Sequence, residues 1–321
     1  MSNYLPITLN CLRTNTIVGC DIYLLVQVGG DYRYVLYCKG DTAFESKKRE
    51  MLLKKNIDRL FIGKNDHKKF NEYLETNLPY VLANEQTTPK ERAKIVYSAA
   101  TNLVQDIFED PRSGNIDRSK KFASNMVDYI LKDGTASYSL LKLAAHEYRT
   151  YAHSVNVAAI GSLFTHNLGL NESDLKSFCT GMLLHDLGKT KVSPSILNKK
   201  GKLTKEEYEE MKIHPEWGIK VLKETENGSS NGLSEEQVII LQHHENCDGS
   251  GYPYGLKKNE IHPSSHIVHI VDVYDALTSV RSYSSAFTPF DTLKKMKDEM
   301  LNMVDPILLK RFIKFLGGQS W

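Results

Sequence analysis

Of the eleven histidines in this 321-residue chain, only His67 precedes residue 146. The others, His146, His153, His166, His185, His214, His243, His244, His262, His266 and His269, crowd one stretch that also carries Asp186 and Asp272. Imidazole and carboxylate suit iron, manganese or zinc, whereas a structural zinc site would call for a well-placed thiolate pair. The five cysteines, Cys11, Cys20, Cys38, Cys179 and Cys247, form no C-x-x-C pair and fit reduced thiols. The residues that could converge on a metal are His153 in TYAHSVNVAAI, His185 and Asp186 in LLHDLGK, His214 in IHPEWG, His243 and His244 in QHHE, and Asp272 in HIVDVYDALTS. Adjacent side chains on a helix diverge by roughly 100°. His185 could therefore bind one metal while Asp186 bridges it to a second. Gly188 can end that helix, and Lys189 then brings a cation to where a phosphate would sit.

Such ligands must be delivered by several helices facing one interior. From Thr88-Pro89 onward the sequence reads as helical, with helices expected at 138–146, 151–168, 172–185, 204–212, 215–224, 234–245, 263–281 and 289–301. The first eighty residues differ. YLPITL, DIYLLVQV and YRYVLYC read as strands, the last two joined by a Gly29-Gly30-Asp31 turn, and RLFI as a fourth, with helices between and after them. The expected fold is mostly α: a small N-terminal α+β domain over 1–86, a helical connector over 87–137, and an all-helical C-terminal domain over 138–321.

Composition narrows the partners. With 41 basic and 39 acidic residues the formal charge is +2, so no net field argues for polymeric nucleic acid or an anionic membrane. The opening MSNYLPITLN lacks the basic-then-apolar pattern of a signal peptide, and no run approaches the roughly eighteen apolar residues of a membrane span. A soluble, cytoplasmic protein is the expectation. The N-terminal domain carries no chemical motif and is expected to serve an input or protein-interaction role; oligomerisation is left open.

The ordered series HDLGK, KLTKEEYEEMKIHPEWG, HHENCDGSGYPYGL and HIVDVYDALTSVR resembles the HD-GYP domain, the cyclic-di-GMP phosphodiesterase branch of the HD hydrolases. The likeness covers about residues 140–315 and includes Gly251-Tyr252-Pro253. It implies an HD-type helical bundle around two divalent metal ions, iron or manganese, held by His153, His185, Asp186, His214, His243, His244 and Asp272, with Asp186 bridging. It also implies that Lys189 contacts the scissile phosphate, that Tyr252 lines the pocket and that Arg281 binds a substrate phosphate. The reaction implied is two-metal hydrolysis of cyclic-di-GMP to linear pGpG, with further cleavage to GMP left open.

Two positions depart from the family. Where members with a third metal carry a glutamate one turn before the first histidine, this chain has Arg149, and Glu147 lies on another helix face, so two metals are expected. After Arg281 the family's basic pair is replaced by Ser282-Tyr283-Ser284-Ser285, where one phosphate anchor would be lost. That keeps a second reading open, a catalytically weak module of the same fold that binds cyclic-di-GMP or a protein. A hydrolase acting on mononucleotides is disfavoured by the DGSGYP loop. The remaining histidines read as surface or hydrogen-bonded residues, with His269 sharing the helix face of Asp272. Asp275 reads equally as a partner to a ligand or as a solvated helix residue. Glu245 is open between bonding a histidine and facing solvent, and Cys247 reads as a small turn residue.

Overall fold

The computed structural model describes residues 3–85, 87–111, 114–132, 134–144, 151–225, 233–279 and 287–318. Strand β1 (Tyr4–Thr8) is followed by β2 (Ile22–Val28) and β3 (Asp31–Cys38). Gly29 and Gly30 connect the last two with φ of 60° and 95°, the left-handed pair that a two-residue hairpin requires. Helix α1 (Ser46–Lys54) leads to β4 (Arg59–Gly63) and α2 (His67–Leu82). The sheet is antiparallel, in the order β1-β4-β2-β3. Leu60 and Ile62 of β4, Ile22 of β2 and Leu78 of α2 are fully buried, so the hydrophobic alternation of the strands is what this small α+β unit closes on.

The chain divides into two compact units, Met1–Ala99 and Ala100–Trp321. The division falls inside α3 (Pro89–Glu109), within the stretch expected as a helical connector. Next come α4 (Asn115–Lys132) and α5 (Gly134–Ala144). The stretch expected as a connector therefore includes α4, which packs against the central part of the second unit.

That central part is α6 (Ala152–Leu168) and α7 (Glu172–Leu184). Helix α6 is buried on every side from Val155 to Phe164, as expected of a helix surrounded by others, and Gly169 ends it at φ 90°. Asn171 caps α7 by accepting from Asp174 N. A 3-10 turn over Leu187–Lys191 and the short α8 (Pro194–Leu197) lead to α9 (Lys205–Lys212) and α10 (His214–Thr225). Capping boxes open α9 (Thr204 with Glu207) and α11 (Glu235–Gln242; Ser234 with Gln237). Helix α12 (Pro263–Thr278) lies beside α6 and α11, followed by α13 (Pro289–Glu299) and α14 (Pro306–Leu316).

Helix α14 lies beyond the last helix expected from the sequence. Its signal is the Asp305-Pro306 start, in which the carboxylate accepts from Ile307 N and Leu308 N and proline takes the first turn. Phe312 and Phe315 then pack on Phe164 with ring centroids 5.0 and 5.4 Å away. Asp305 also pairs with Lys258 at 2.6 Å. Burial would raise the Asp305 carboxyl, but Lys258 and the two N–H groups outweigh it and hold it below the usual carboxylate range. Asp305→Ala is expected to cost about 0.5–2 kcal/mol. A depressed folded value makes this contribution complete above the unfolded carboxylate pKa and lost as pH falls through the folded one. The gap in melting temperature between wild type and variant should narrow once pH drops below about 4.

Candidate metal centre

Helix ends deliver the histidines. His185 is the C-cap of α7, His243 the C-cap of α11, and His214 opens α10 directly after α9. In each, Nδ1 donates to the carbonyl three residues earlier: Met182 at 2.7 Å, Ile240 at 2.9 Å and Met211 at 2.8 Å. A neutral imidazole that donates from Nδ1 keeps its lone pair on Nε2. Three lone pairs are thus aimed at one centre.

The donor atoms fall into two groups, each with its atoms within 4.8 Å of one another: His153, His185 and Asp272, and Asp186, His214, His243 and His244. Asp186 faces both. Its Oδ2 lies 3.5 Å from His185 Nε2 and 3.8 Å from His153 Nε2, while its Oδ1 lies 3.4 Å from His214 Nε2 and 3.9 Å from His243 Nε2. Asp272 also reaches across, with Oδ1 2.9 Å from His153 Nε2 and Oδ2 3.6 Å from His244 Nδ1. All seven ligand-type residues expected from the sequence are therefore brought together.

The electrostatics favour a cation. Burial would raise Asp186, but Lys189, His185 and His214 hold it well below the usual carboxylate range; Asp272 is held down likewise, chiefly by His153. Burial, joined by neighbouring imidazoles, pushes His243 well down, and burial also depresses His244 and His185. Ionised carboxylates thus face neutral imidazoles at His185, His243 and His244. Burial pulls His153 down too, yet Asp272 and Asp275 prevail and push it up to about 10. Among the described residues, two buried atoms of this centre, His185 Nε2 and Asp186 Oδ1, have no hydrogen-bond partner, a costly arrangement unless an ion takes them up. His214 Nε2 and His243 Nε2 lie 3.2 Å apart, although the Nδ1 bonds leave neither with a proton to share. Two lone pairs facing each other this closely are costly unless a cation takes them up. The donor set fits divalent metals.

Around this centre, Lys189 Nζ lies 2.6 Å from Asp186 Oδ2. The Tyr252 ring stacks obliquely on His244, centroids 4.6 Å apart, and burial with nearby Asp272 pushes its phenol far up, so it stays protonated. Tyr252 is aimed by its loop. Tyr252 N donates to His244 O at 3.1 Å, and a Cβ on Gly251 would lie 2.2 Å from Asn246 N.

Glu245, which the sequence left open, is buried and accepts from Tyr254 N at 2.7 Å and Leu256 N at 2.8 Å. It bonds the loop backbone, neither a histidine nor solvent; the signal available was its position between HH and GYP. Each such charge-assisted bond is worth about 1.5–3 kcal/mol. Glu245→Ala should lower the melting temperature and loosen Tyr252 while metal content stays at the wild-type level, both read on one preparation.

Asp275 is buried and bonded to His153 Nδ1 at 2.7 Å, so it is not a solvated residue. His269 belongs to neither donor group and gives its Nδ1 proton to His243 O at 2.9 Å. His166 and His262 are exposed, and His262 caps α12. Cys247 sits in the turn with its thiol 3.6 Å from His266 Nδ1, and all five cysteines are free. Arg281, Ser282–Ser285, His146, Glu147 and Arg149 lie outside the described residues.

An all-helical unit with this His/Asp centre defines the class, and the HD domain family matches residues 139–308. The chain belongs to that family, in its HD-GYP branch. It is 34% identical over 230 residues to a cyclic di-GMP phosphodiesterase, PA4108, of Pseudomonas aeruginosa, covering 70% of this chain and 54% of the relative. It is 38% identical over 173 residues to the cyclic di-GMP phosphodiesterase response regulator RpfG of Xanthomonas campestris, covering 52% and 45%. Against the 3'3'-cGAMP-specific phosphodiesterase 2 of Vibrio cholerae the figures are 34% over 171 residues, 53% and 32%. The chain thus spans about half or less of the length of these relatives. In fold it is similar to Bd1817, an HDG"Y"P protein of Bdellovibrio bacteriovorus, with a TM-score of 0.66 at 20% identity over 98% of this chain and 100% of that one. Among the described residues no helix is long and apolar enough to cross a membrane.

Proposed function

We propose that the chain is a two-metal phosphodiesterase that hydrolyses cyclic-di-GMP to pGpG, and onward to GMP, in the bacterial cytoplasm. The observation that carries this is Asp186, whose two oxygens face two separate donor groups. In this reading His153, His185 and Asp272 would hold one metal and His214, His243 and His244 the other, with Asp186 available to both. Iron or manganese suits the mixed imidazole and carboxylate donors. When bound, such a pair supplies a hydrolytic nucleophile near neutral pH and polarises the phosphodiester.

The protein's own groups do the rest. Lys189, tethered 2.6 Å from Asp186, holds a non-bridging phosphoryl oxygen and offsets the charge that grows there. Tyr252 offers an aromatic wall and a phenol that only donates. Arg281 binds a second substrate phosphate. The N-terminal unit acts as an input or protein-interaction module. Names among the relatives favour a second substrate, 3'3'-cGAMP, which has the same phosphodiester chemistry with one base changed.

The test is chromatographic analysis of products from cyclic-di-GMP and from 3'3'-cGAMP under anaerobic conditions with Mn²⁺ or Fe²⁺. Linear pGpG or GMP is expected. Metal-loaded protein that cleaves neither substrate contradicts the proposal. Lys189→Met is expected to lower kcat about 10²–10³-fold, the scale of one charge-stabilising donor, while the metal content, measured in parallel, is unchanged.

A further inference from the structure

The histidines of the centre are not all held alike. His185, His214 and His243 each lean on a carbonyl three residues back. His153 is the second residue of α6, so no carbonyl of that helix lies three residues before it. Its acceptor comes from α12 instead. Asp275 Oδ2 accepts from His153 Nδ1 at 2.7 Å and from Ser279 Oγ at 3.3 Å, while Asp275 Oδ1 accepts from Asn156 Nδ2 at 2.9 Å. Asp275 and Asn156 are 2% and 1% exposed. One turn of α12 thus presents Asp272 to Nε2 of the ring and Asp275 to Nδ1.

We infer that Asp275, its orientation fixed by Asn156, is a positioning residue that sets the His153 tautomer, with the proton on Nδ1 and the Nε2 lone pair left for the metal. The inference rests on the metal assignment proposed above. Partners of this kind fix the ring and raise its basicity, and losing one typically costs about 10–100-fold in metal affinity.

A carboxylate only accepts, so Asn156 must turn its NH₂ toward Asp275. In Asp275→Asn the side chain has one accepting and one donating end. His153 Nδ1 and Ser279 Oγ both donate on the Oδ2 side, so the new oxygen stays there and the Asn156 amide turns over to accept from the new NH₂. Asp275→Asn therefore keeps the tautomer, whereas Asp275→Ala leaves the Nδ1 proton with no carboxylate to hold it. Metal binding should be close to wild type in the isosteric variant and weaker in the truncation.

The experiment is an anaerobic Mn²⁺ titration of the full chain, followed by electron paramagnetic resonance, which separates a coupled Mn pair from a single Mn, with thermal melts as a folding control. Wild type is expected to form the pair. Affinity at one of the two positions should weaken about 10–100-fold in Asp275→Ala and in Asp275→Leu, which fills the space without an acceptor, and stay near wild type in Asp275→Asn, with the other position unchanged. Asp275→Leu as tight as wild type, or Asp275→Asn as weak as Asp275→Ala, overturns the inference. A wild-type chain that forms no pair overturns the metal assignment and this inference with it; a pair that survives Asp275→Ala unweakened overturns the inference alone.

Discussion

Asp186→Ala is expected to leave a folded chain that no longer holds a metal pair and whose cyclic-di-GMP turnover falls by more than about 10³-fold, or about 4 kcal/mol of barrier stabilisation. Each of its oxygens faces a different donor group, at 3.4 Å from His214 on one side and 3.5 Å from His185 on the other. Truncation removes a ligand from both groups at once and leaves two imidazole clusters with only Asp272 between them. The fold should tolerate it. Asp186 offers no backbone support, and Lys189, which loses its carboxylate, has a side chain 27% exposed and can turn to water. Metal analysis and circular dichroism on the same preparation separate loss of the site from loss of the fold. Asp186→Asn retains one ligating oxygen without the charge and should fall between wild type and Asp186→Ala in metal content.

The second large effect is structural in origin. Gly188 follows the HD pair in the 3-10 turn, and the turn packs directly on α10. A Cβ there would lie 1.8 Å from His214 O and 2.5 Å from Gly218 N. Both are backbone atoms, so no side chain can rotate away. Gly188→Ala must push the start of α10 off the turn, and His214 moves with it, away from Asp186. Overpacking of this kind costs about 1–3 kcal/mol and at times more. The expected result is a lower melting temperature together with loss of metal from the His214, His243 and His244 group. Gly218→Ala is a milder comparison, since its nearest neighbour is the Ile240 side chain at 2.6 Å, which can shift.

Much of the centre is legible in the sequence because helix ends write themselves in local chemistry. Asn171, Thr204 and Ser234 cap α7, α9 and α11, and the histidines follow at the far ends of two of these helices and at the start of α10. The hairpin is equally visible in Gly29-Gly30. What the sequence hides is which side chains support the ligands. Glu245 reads as a polar residue before a turn, and only folding brings the N–H groups of Tyr254 and Leu256 onto it. Asp275 lies more than a hundred residues from His153 in the chain, and only the packing of α6 on α12 joins them.

The central claim is a pair of metals shared through Asp186 and used to open a cyclic dinucleotide. Its most direct test is metal content per chain after anaerobic purification and Mn²⁺ or Fe²⁺ loading, measured beside cyclic-di-GMP turnover on the same sample. Two metal ions per chain are expected, with turnover that rises as the second one binds. Two bound metals with no pGpG or GMP formed, or full turnover with a single metal, would contradict it.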